Sequence, residues 1–180
     1  QAVSSFGSQI TQLTFPLLVL AITRSPAQAG LVAALRGLPF AFLSLPAGAL
    51  VDRWDRKRIM IVSDIGRALA LASIPLALAL GQLTVAHLAI VSTIEGALFL
   101  LFSLAESSCL PQVVDKRQLP DALAQNQVTE SLSQLLGPSL GGALYGLGAA
   151  VPFLADAVSY TASTFTLLFI RRPFQEERSG

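Results

Sequence analysis

The feature that most constrains this chain is the recurrence of long apolar stretches, at approximately 1–23, 28–51, 58–80, 84–107, 122–148 and 151–170. A helix needs about 20 mostly apolar residues to cross the hydrocarbon of a bilayer, and each stretch meets that length. The separators are short and carry turn or charge signals: Ser25-Pro26, Asp52 to Arg58, Gly81-Gln82, Pro111 to Pro120, and Gly146 to Ala150. The expected fold is an all-α membrane protein, a bundle of six transmembrane helices over 1–172, with 173–180 beginning a cytoplasmic linker. Composition excludes the soluble alternative. Of 180 residues, 53% are hydrophobic and 13% charged, against roughly 25% charged in soluble domains. A soluble domain of this size would have to expose its apolar excess as one continuous patch.

Lys and Arg are retained on the cytoplasmic side of short loops. Arg53, Arg56, Lys57, Arg58, Lys116, Arg117, Arg171, Arg172 and Arg178 all follow even-numbered spans, and only Arg24 lies on the other side. Both ends are therefore expected in the cytoplasm. The chain starts at Gln1 inside an apolar run and is expected to be a piece of something longer.

Several functions drop out. The net charge is +1, and the basic residues sit in loop clusters rather than along one face, so nucleic acid is not an expected partner. There is no phosphate-binding G-x-x-x-x-G-K-[ST] loop, and His87 has no Cys or His at metal-ligand spacing. No metal or cofactor is expected. His87 is placed at the outer interface of span four, and the single cysteine, Cys109, is a packing residue that can form no intrachain disulfide.

Two motifs carry more specific information. Gly48-Ala-Leu-Val-Asp52-Arg53-Trp-Asp55-Arg56-Lys57-Arg58 joins spans two and three. Gly48 is expected to let two helices approach closely, and Asp52 to sit near helix N-termini or pair with Arg53 and Arg56. In span five, Gly137-Pro138-Ser-Leu-Gly141-Gly142 combines a proline bend with a small-residue face of Ser133, Gly137 and Gly141. The first motif resembles the G-x-x-x-D-R-x-G-R-[RK] signature of the major facilitator superfamily, with Asp55 where the family usually has glycine. The second resembles the G-P-x-x-G-G element of its exporters. Longer stretches, including Ser4 to Pro16, Gly30 to Pro39, Leu110 to Val114 and Asp156 to Ser163, are similar to the enterobactin exporter group and to bacterial drug and macrolide efflux carriers. The resemblance implies the amino-terminal half of a twelve-helix carrier in a bacterial inner membrane, whose partner is the missing carboxy-terminal six-helix half. It also implies a cytoplasmic latch at Gly48, Asp52, Arg53, Arg56 and Lys57.

Ionisable residues inside spans cost about 2.5–3.5 kcal/mol near the bilayer centre, so each demands a reason. Asp64 and Arg67, three apart, are expected to neutralise each other. Glu106 and Asp156 are expected to reach interfacial water. Glu95 and Glu130 have no basic neighbour one turn away on their own helices. Ser92, Glu95, Phe99, Phe102 and Glu106 share one face of span four. Asn126, Glu130, Ser133 and Gly137 share one of span five, and Ser4, Ser8, Thr11 and Gln12 make a polar stripe on span one. In facilitator carriers the first, fourth and fifth helices line the cavity while the third and sixth lie outside, so the resemblance sets these stripes along the substrate path. Glu95 and Glu130 are candidate proton sites, because desolvation disfavours a carboxylate charge; the other reading is that they hydrogen-bond neighbouring helices while protonated. Arg36 is a candidate counter-ion or substrate anchor, with snorkelling to the interface the other reading. Phe99 and Gln12 are candidate substrate contacts. Span four lacks the arginine of the R-x-x-x-G element found in many proton-coupled drug antiporters, reading Ser92-Thr-Ile-Glu95-Gly96 instead.

The expected function is therefore secondary active transport, the proton-coupled export of an amphipathic small molecule such as a drug or siderophore. Two alternatives stand beside it. A metal-dependent lipid-modifying enzyme would use Asp52, Asp55 and Asp64, but interleaved basic residues compete with any cation there. The other is a non-transporting structural half-bundle.

Overall fold

The computed structural model describes residues 2–113 and 119–169. Lys116, Arg117, Arg171, Arg172, Arg178 and the segment 173–180 lie outside the described residues, as does the side chain of Ser4. Six helices follow one another: α1 (Ala2–Thr23), α2 (Pro26–Arg53), α3 (Arg56–Ala79), α4 (Val85–Val113), α5 (Leu119–Leu147) and α6 (Val151–Phe169). No strand occurs among the described residues.

Local chemistry explains the breaks. Ser25 caps α2, its hydroxyl accepting from the Gln28 amide at 3.4 Å, and Pro26 supplies the fixed φ of a first helical turn. Asp55 caps α3, with its carboxylate accepting from the Arg58 amide at 3.1 Å. The end of α3 is closed by Gly81 at φ +65°, whose neighbour Gln82 donates back to the Ala77 carbonyl at 2.9 Å. Pro16, Pro39, Pro46, Pro75 and Pro138 lie inside helices, which neighbouring helices make tolerable in a membrane.

Among the described residues, four helices carry windows long and apolar enough to cross a membrane: Ser5–Thr23, Pro26–Arg53, Arg56–Ala79 and Val85–Cys109. Six such spans are expected from the sequence, and the difference lies in α5 and α6. Asp121, Glu130 and several Gln and Ser residues dilute α5, while Ser, Thr, Tyr and Asp156 dilute α6.

α1 packs against α2, α5 and α6; α4 packs against α2 and α3; and α3 packs against α6. Two apolar clusters form the core. One, built on Phe15, Val19, Val32, Leu71, Leu88 and Phe153, lies toward the ends joined by the α1–α2, α3–α4 and α5–α6 turns. The other, built on Val51, Ile59, Met60, Phe102 and Leu167, lies toward the α2–α3 loop and includes the buried Cys109. A layer of buried polar side chains separates them.

Three helix crossings depend on glycine. A Cβ on Gly96 would overlap the Arg36 carbonyl oxygen and stand 3.0 Å from the Arg36 carbonyl carbon, so α4 meets α2 backbone to backbone. A Cβ on Gly7 would overlap the Asp156 carboxylate and stand 2.6 Å from the Ser159 hydroxyl, where α1 meets α6. Along α5, Ser133, Gly137 and Gly141 are buried on α1; Cβ atoms on the two glycines would lie 2.5 Å from Gln9 Cβ and 3.1 Å from the Ile10 carbonyl oxygen. The small-residue face read from the sequence is thus the α1–α5 contact.

Gly48 differs from expectation. A Cβ there would meet nothing within 4 Å, because it lies on the open face of α2, with Phe42 and Leu45 exposed nearby, while Ala47 and Val51 face the core. Gly142 likewise faces open space.

Candidate functional site

The polar layer centres on Glu95 of α4, which is fully buried between two arginines. Arg36 of α2 grips it with two donors, Nε to Oε2 and Nη2 to Oε1, the latter at 3.2 Å. Arg67 of α3 donates from Nη2 to the same Oε1 at 2.7 Å. That Nη2 also reaches the Ser8 hydroxyl at 3.0 Å and the Tyr160 hydroxyl. Ser8 and Tyr160 close the ring at 2.8 Å. One turn from Tyr160, Asp156 accepts from Thr11 and, at 3.1 Å, from Ser159. Five helices therefore meet in one network, and Arg36, Arg67, Glu95 and Asp156 bring two positive and two negative formal charges. Breaking one partner out of such a buried pair costs about 3–5 kcal/mol, since it strands the other charge.

Arg36, Arg67 and Glu95 each lie roughly ten residues from an end of their helices, which is about 15 Å of rise. That is half the thickness of a bilayer core of about 30 Å.

The network opens to the surface at one edge. The Arg36 side chain is 16% exposed, whereas Glu95 and Arg67 are 0% and 1%. Phe99, half-buried, lies under both guanidiniums, 5.9 Å from Arg36 and 5.0 Å from Arg67. Phe40, exposed, leans on Phe99 with ring centroids 5.8 Å apart. Arg67 stacks further on the Tyr160 ring at 4.0 Å. The exposed edge thus offers guanidinium and aromatic faces, with the carboxylate behind them.

Several expectations need correction. Asp64 and Arg67 form no ion pair, because Arg67 is turned toward Glu95, Ser8 and Tyr160. Asp156 reaches no interfacial water; a glycine on the facing helix lets it seat fully buried against α1. The Ser92–Glu95–Phe102 face of α4 lies inside the bundle rather than along an open cavity, and Ser92 donates to the Val32 carbonyl of α2 at 3.0 Å. Helices three and six also supply the buried polar layer, through Arg67, Asp156 and Tyr160.

Other sequence candidates fall elsewhere. Gln12 and Glu130 are exposed, on faces of α1 and α5 turned away from the network. Of the loop motif, Asp52 and Arg53 are exposed at the end of α2, Arg56 donates to the Ser108 carbonyl of α4 at 3.0 Å, and Lys57 reaches the Leu168 carbonyl of α6 at 3.5 Å. Lys57 sits on the closing turn of α6, where the helix dipole favours positive charge. His87, half-buried, contacts the Ser73 hydroxyl at 2.8 Å. No group of three His, Cys, Asp or Glu suited to a metal occurs among the described residues.

Tyr160 and Gly96 carry much of the arrangement and went unrecognised in the sequence, while Asp156 was placed at the interface rather than in the network. The adjacency of Gly96 to Glu95 was a readable signal, because a small residue beside a buried charge allows another backbone to approach. The convergence of Tyr160 with Arg67 had no local signature.

The family model for transmembrane secretion effectors, MFS_3, matches residues 1–179. The chain is 29% identical over 174 residues to an uncharacterised MFS-type transporter, YfiS, of Bacillus subtilis, covering 96% of this chain and 40% of that protein. It is 31% identical over 172 residues to the multidrug efflux pump Tap of Mycolicibacterium fortuitum, covering 92% and 42%. It is 28% identical over 174 residues to macrolide efflux protein A of Streptococcus pyogenes, covering 96% and 43%. The chain therefore spans less than half the length of these relatives.

Proposed function

Because the chain belongs to the transmembrane secretion effector family, we propose that it is the amino-terminal half of a secondary transporter that exports an amphipathic small molecule from a bacterial cytoplasm. All six helices cross the inner membrane and both ends are cytoplasmic. The efflux functions in the names of Tap and macrolide efflux protein A support export, and the basic α2–α3 loop supports the orientation. Transport proceeds by rocking of this bundle against a second six-helix half, without a covalent step.

The observation that carries the reading is the charge network at mid-depth with one aromatic, cationic edge. Secondary transporters hold substrate near the bilayer midplane, where ionisable residues are too costly to be kept without use. Arg36, Phe40 and Phe99 form the substrate-facing edge, and Glu95 is the fixed counter-charge behind it. Gln12 and Glu130 face the second half, and Glu130 is the accessible carboxylate for proton exchange.

The test is accumulation of ethidium and erythromycin in bacteria expressing the full-length gene, with and without a protonophore. Wild type is expected to lower accumulation, and the protonophore, Phe99→Ala, Arg36→Gln and Glu130→Gln each to restore it. Equal accumulation in expressing and empty cells across a broad panel of amphipathic compounds would refute export. Export that persists in Arg36→Gln and Phe99→Ala would refute this edge as the substrate contact.

A further inference from the structure

One turn of α3 holds two unsatisfied buried groups. Asp64 is completely buried, and neither carboxylate oxygen makes a hydrogen bond. Arg67, also buried, has an Nε without an acceptor. Residues three apart on a helix are neighbours, with Cβ atoms about 5–6 Å apart, a spacing at which Asp and Arg pair. Here they do not, because Arg67 extends its Nη2 to Glu95, Ser8 and Tyr160. Donor and acceptor lie one turn apart, each waiting on a movement of the same side chain.

A bare carboxylate at Asp64 would be a buried charge without a donor, which is costly in a protein interior and more so in hydrocarbon. A bound proton removes that charge. The groups that face Asp64 do not supply a substitute charge: the Ser163 hydroxyl on α6 interacts with the carboxylate but is neutral, and Glu106 on α4 is a second acid. Among the described residues, Arg67 is the cation within reach. Glu95 differs from Asp64 in having two cationic partners, so the loss of Arg67 leaves it still paired with Arg36.

We propose that Asp64 is a proton-binding site, and that Arg67 alternates between Glu95, as seen here, and Asp64 once Asp64 has released its proton. The step balances. The Asp64 carboxyl O–H gives its proton to water, the carboxylate accepts N–H donors from Arg67, and Glu95 keeps Arg36. No carboxylate is left unpaired in either arrangement. The site rests on this geometry; its consequence, linking proton release to repacking among α1, α3, α4 and α6, rests on the transporter reading.

The experiment uses the purified full-length protein in detergent with dicyclohexylcarbodiimide, which modifies protonated carboxyl groups in apolar surroundings, and peptide mass spectrometry to quantify labelling at Asp64. Wild type is expected to be labelled there. Glu95→Gln frees Arg67 to pair with Asp64 and is expected to cut that labelling by about tenfold, the change that about 1.4 kcal/mol of pairing produces. The double variant Glu95→Gln/Arg67→Gln is expected to restore it. If Glu95→Gln does not give folded protein, Ser8→Ala/Tyr160→Phe removes two other acceptors of Arg67 and is expected to lower labelling in the same direction. Absence of labelling at Asp64 in wild type, or labelling unchanged when Arg67 is released, overturns the proposal. The measurement needs no transported compound, so its outcome is separate from that of the accumulation assay.

Discussion

The α2–α4 crossing at Gly96 gives the sharpest stability test, because Gly96 and Gly66 meet different surroundings. A methyl at Gly96 would overlap the Arg36 carbonyl oxygen and crowd the Arg36 Cα at 3.3 Å, and backbone cannot rotate away. The helices must separate, and overpacking of that kind costs about 1–3 kcal/mol. Separation also lengthens the 3.2 Å bond from Arg36 to Glu95, and a hydrogen bond to a charged group contributes about 1.5–3 kcal/mol. Against this, alanine in a helix gains about 1 kcal/mol over glycine. Gly96→Ala is thus expected to destabilise by about 2–4 kcal/mol. At Gly66 the methyl would meet Leu98 Cδ1 at 2.6 Å, the end of a flexible side chain whose next atoms are 3.8 Å away, so rotation of Leu98 relieves it. Gly66→Ala is expected to fall within about 1 kcal/mol of wild type, the propensity gain offsetting the rotamer change. Thermal unfolding of the full-length protein in detergent, followed by thiol-reactive fluorescence or loss of the monodisperse peak, measures the order. Gly96→Ala melting at or above Gly66→Ala would refute the backbone contact and with it the reason Arg36 and Glu95 meet.

Removing Glu95 should be more damaging than removing the pair: Glu95→Gln is expected to cost about 3–5 kcal/mol, and Arg36→Gln/Glu95→Gln clearly less, measured by the same melting assay. The cap of α3 gives a smaller, graded effect. Asp55→Ala should cost about 1 kcal/mol and Asp55→Gly only a few tenths, restoring the glycine usual in the motif; equal losses would argue against a capping role. Membrane topology is checked by single cysteines at Arg58 and Gln82 in a cysteine-free background. An impermeant maleimide added to intact cells is expected to label Gln82→Cys and not Arg58→Cys, and the reverse would invert the orientation.

The helices were legible because apolar length and turn residues are local properties. Starts and stops at Ser25-Pro26, Asp55 and Gly81 fall within a few residues of their expected places, since each break uses a side chain or backbone conformation encoded where it acts. The α1–α5 contact was legible for a related reason: glycines at Gly137 and Gly141, spaced four apart, mark a face before its partner is known. The charge network was not. Asp64 and Arg67 have the spacing of a pair, and nothing on α3 shows that Ser8, Glu95 and Tyr160 compete for the same guanidinium. Glu95 similarly lacks a basic neighbour on its own helix while holding two from others. Gly48 failed in the opposite way, its motif spacing suggesting a contact that this half does not make.

The placement of the polar layer explains how one bundle can be both rigid and ready to rearrange. Apolar clusters on either side hold α1, α2, α3, α4 and α6 by packing, which alone does not choose one rotation of each helix in an apolar solvent. The charges do choose, because a rotation that separates Arg36 or Arg67 from Glu95 strands a buried ion. α5 contributes no side chain to the described network; it is held on α1 through Ser133, Gly137 and Gly141, beside the bend at Pro138. Small-residue contacts of that kind depend on close approach rather than on fixed charge pairs, so α5 can slide or tilt without a buried ion being exposed. A polar layer that locks five helices, and a sixth held mainly on α1 by a smooth small-residue face with Glu130 exposed, divides the bundle into a fixed body and an adjustable wall. That division puts the exposed carboxylate of Glu130 on the element whose movement costs least.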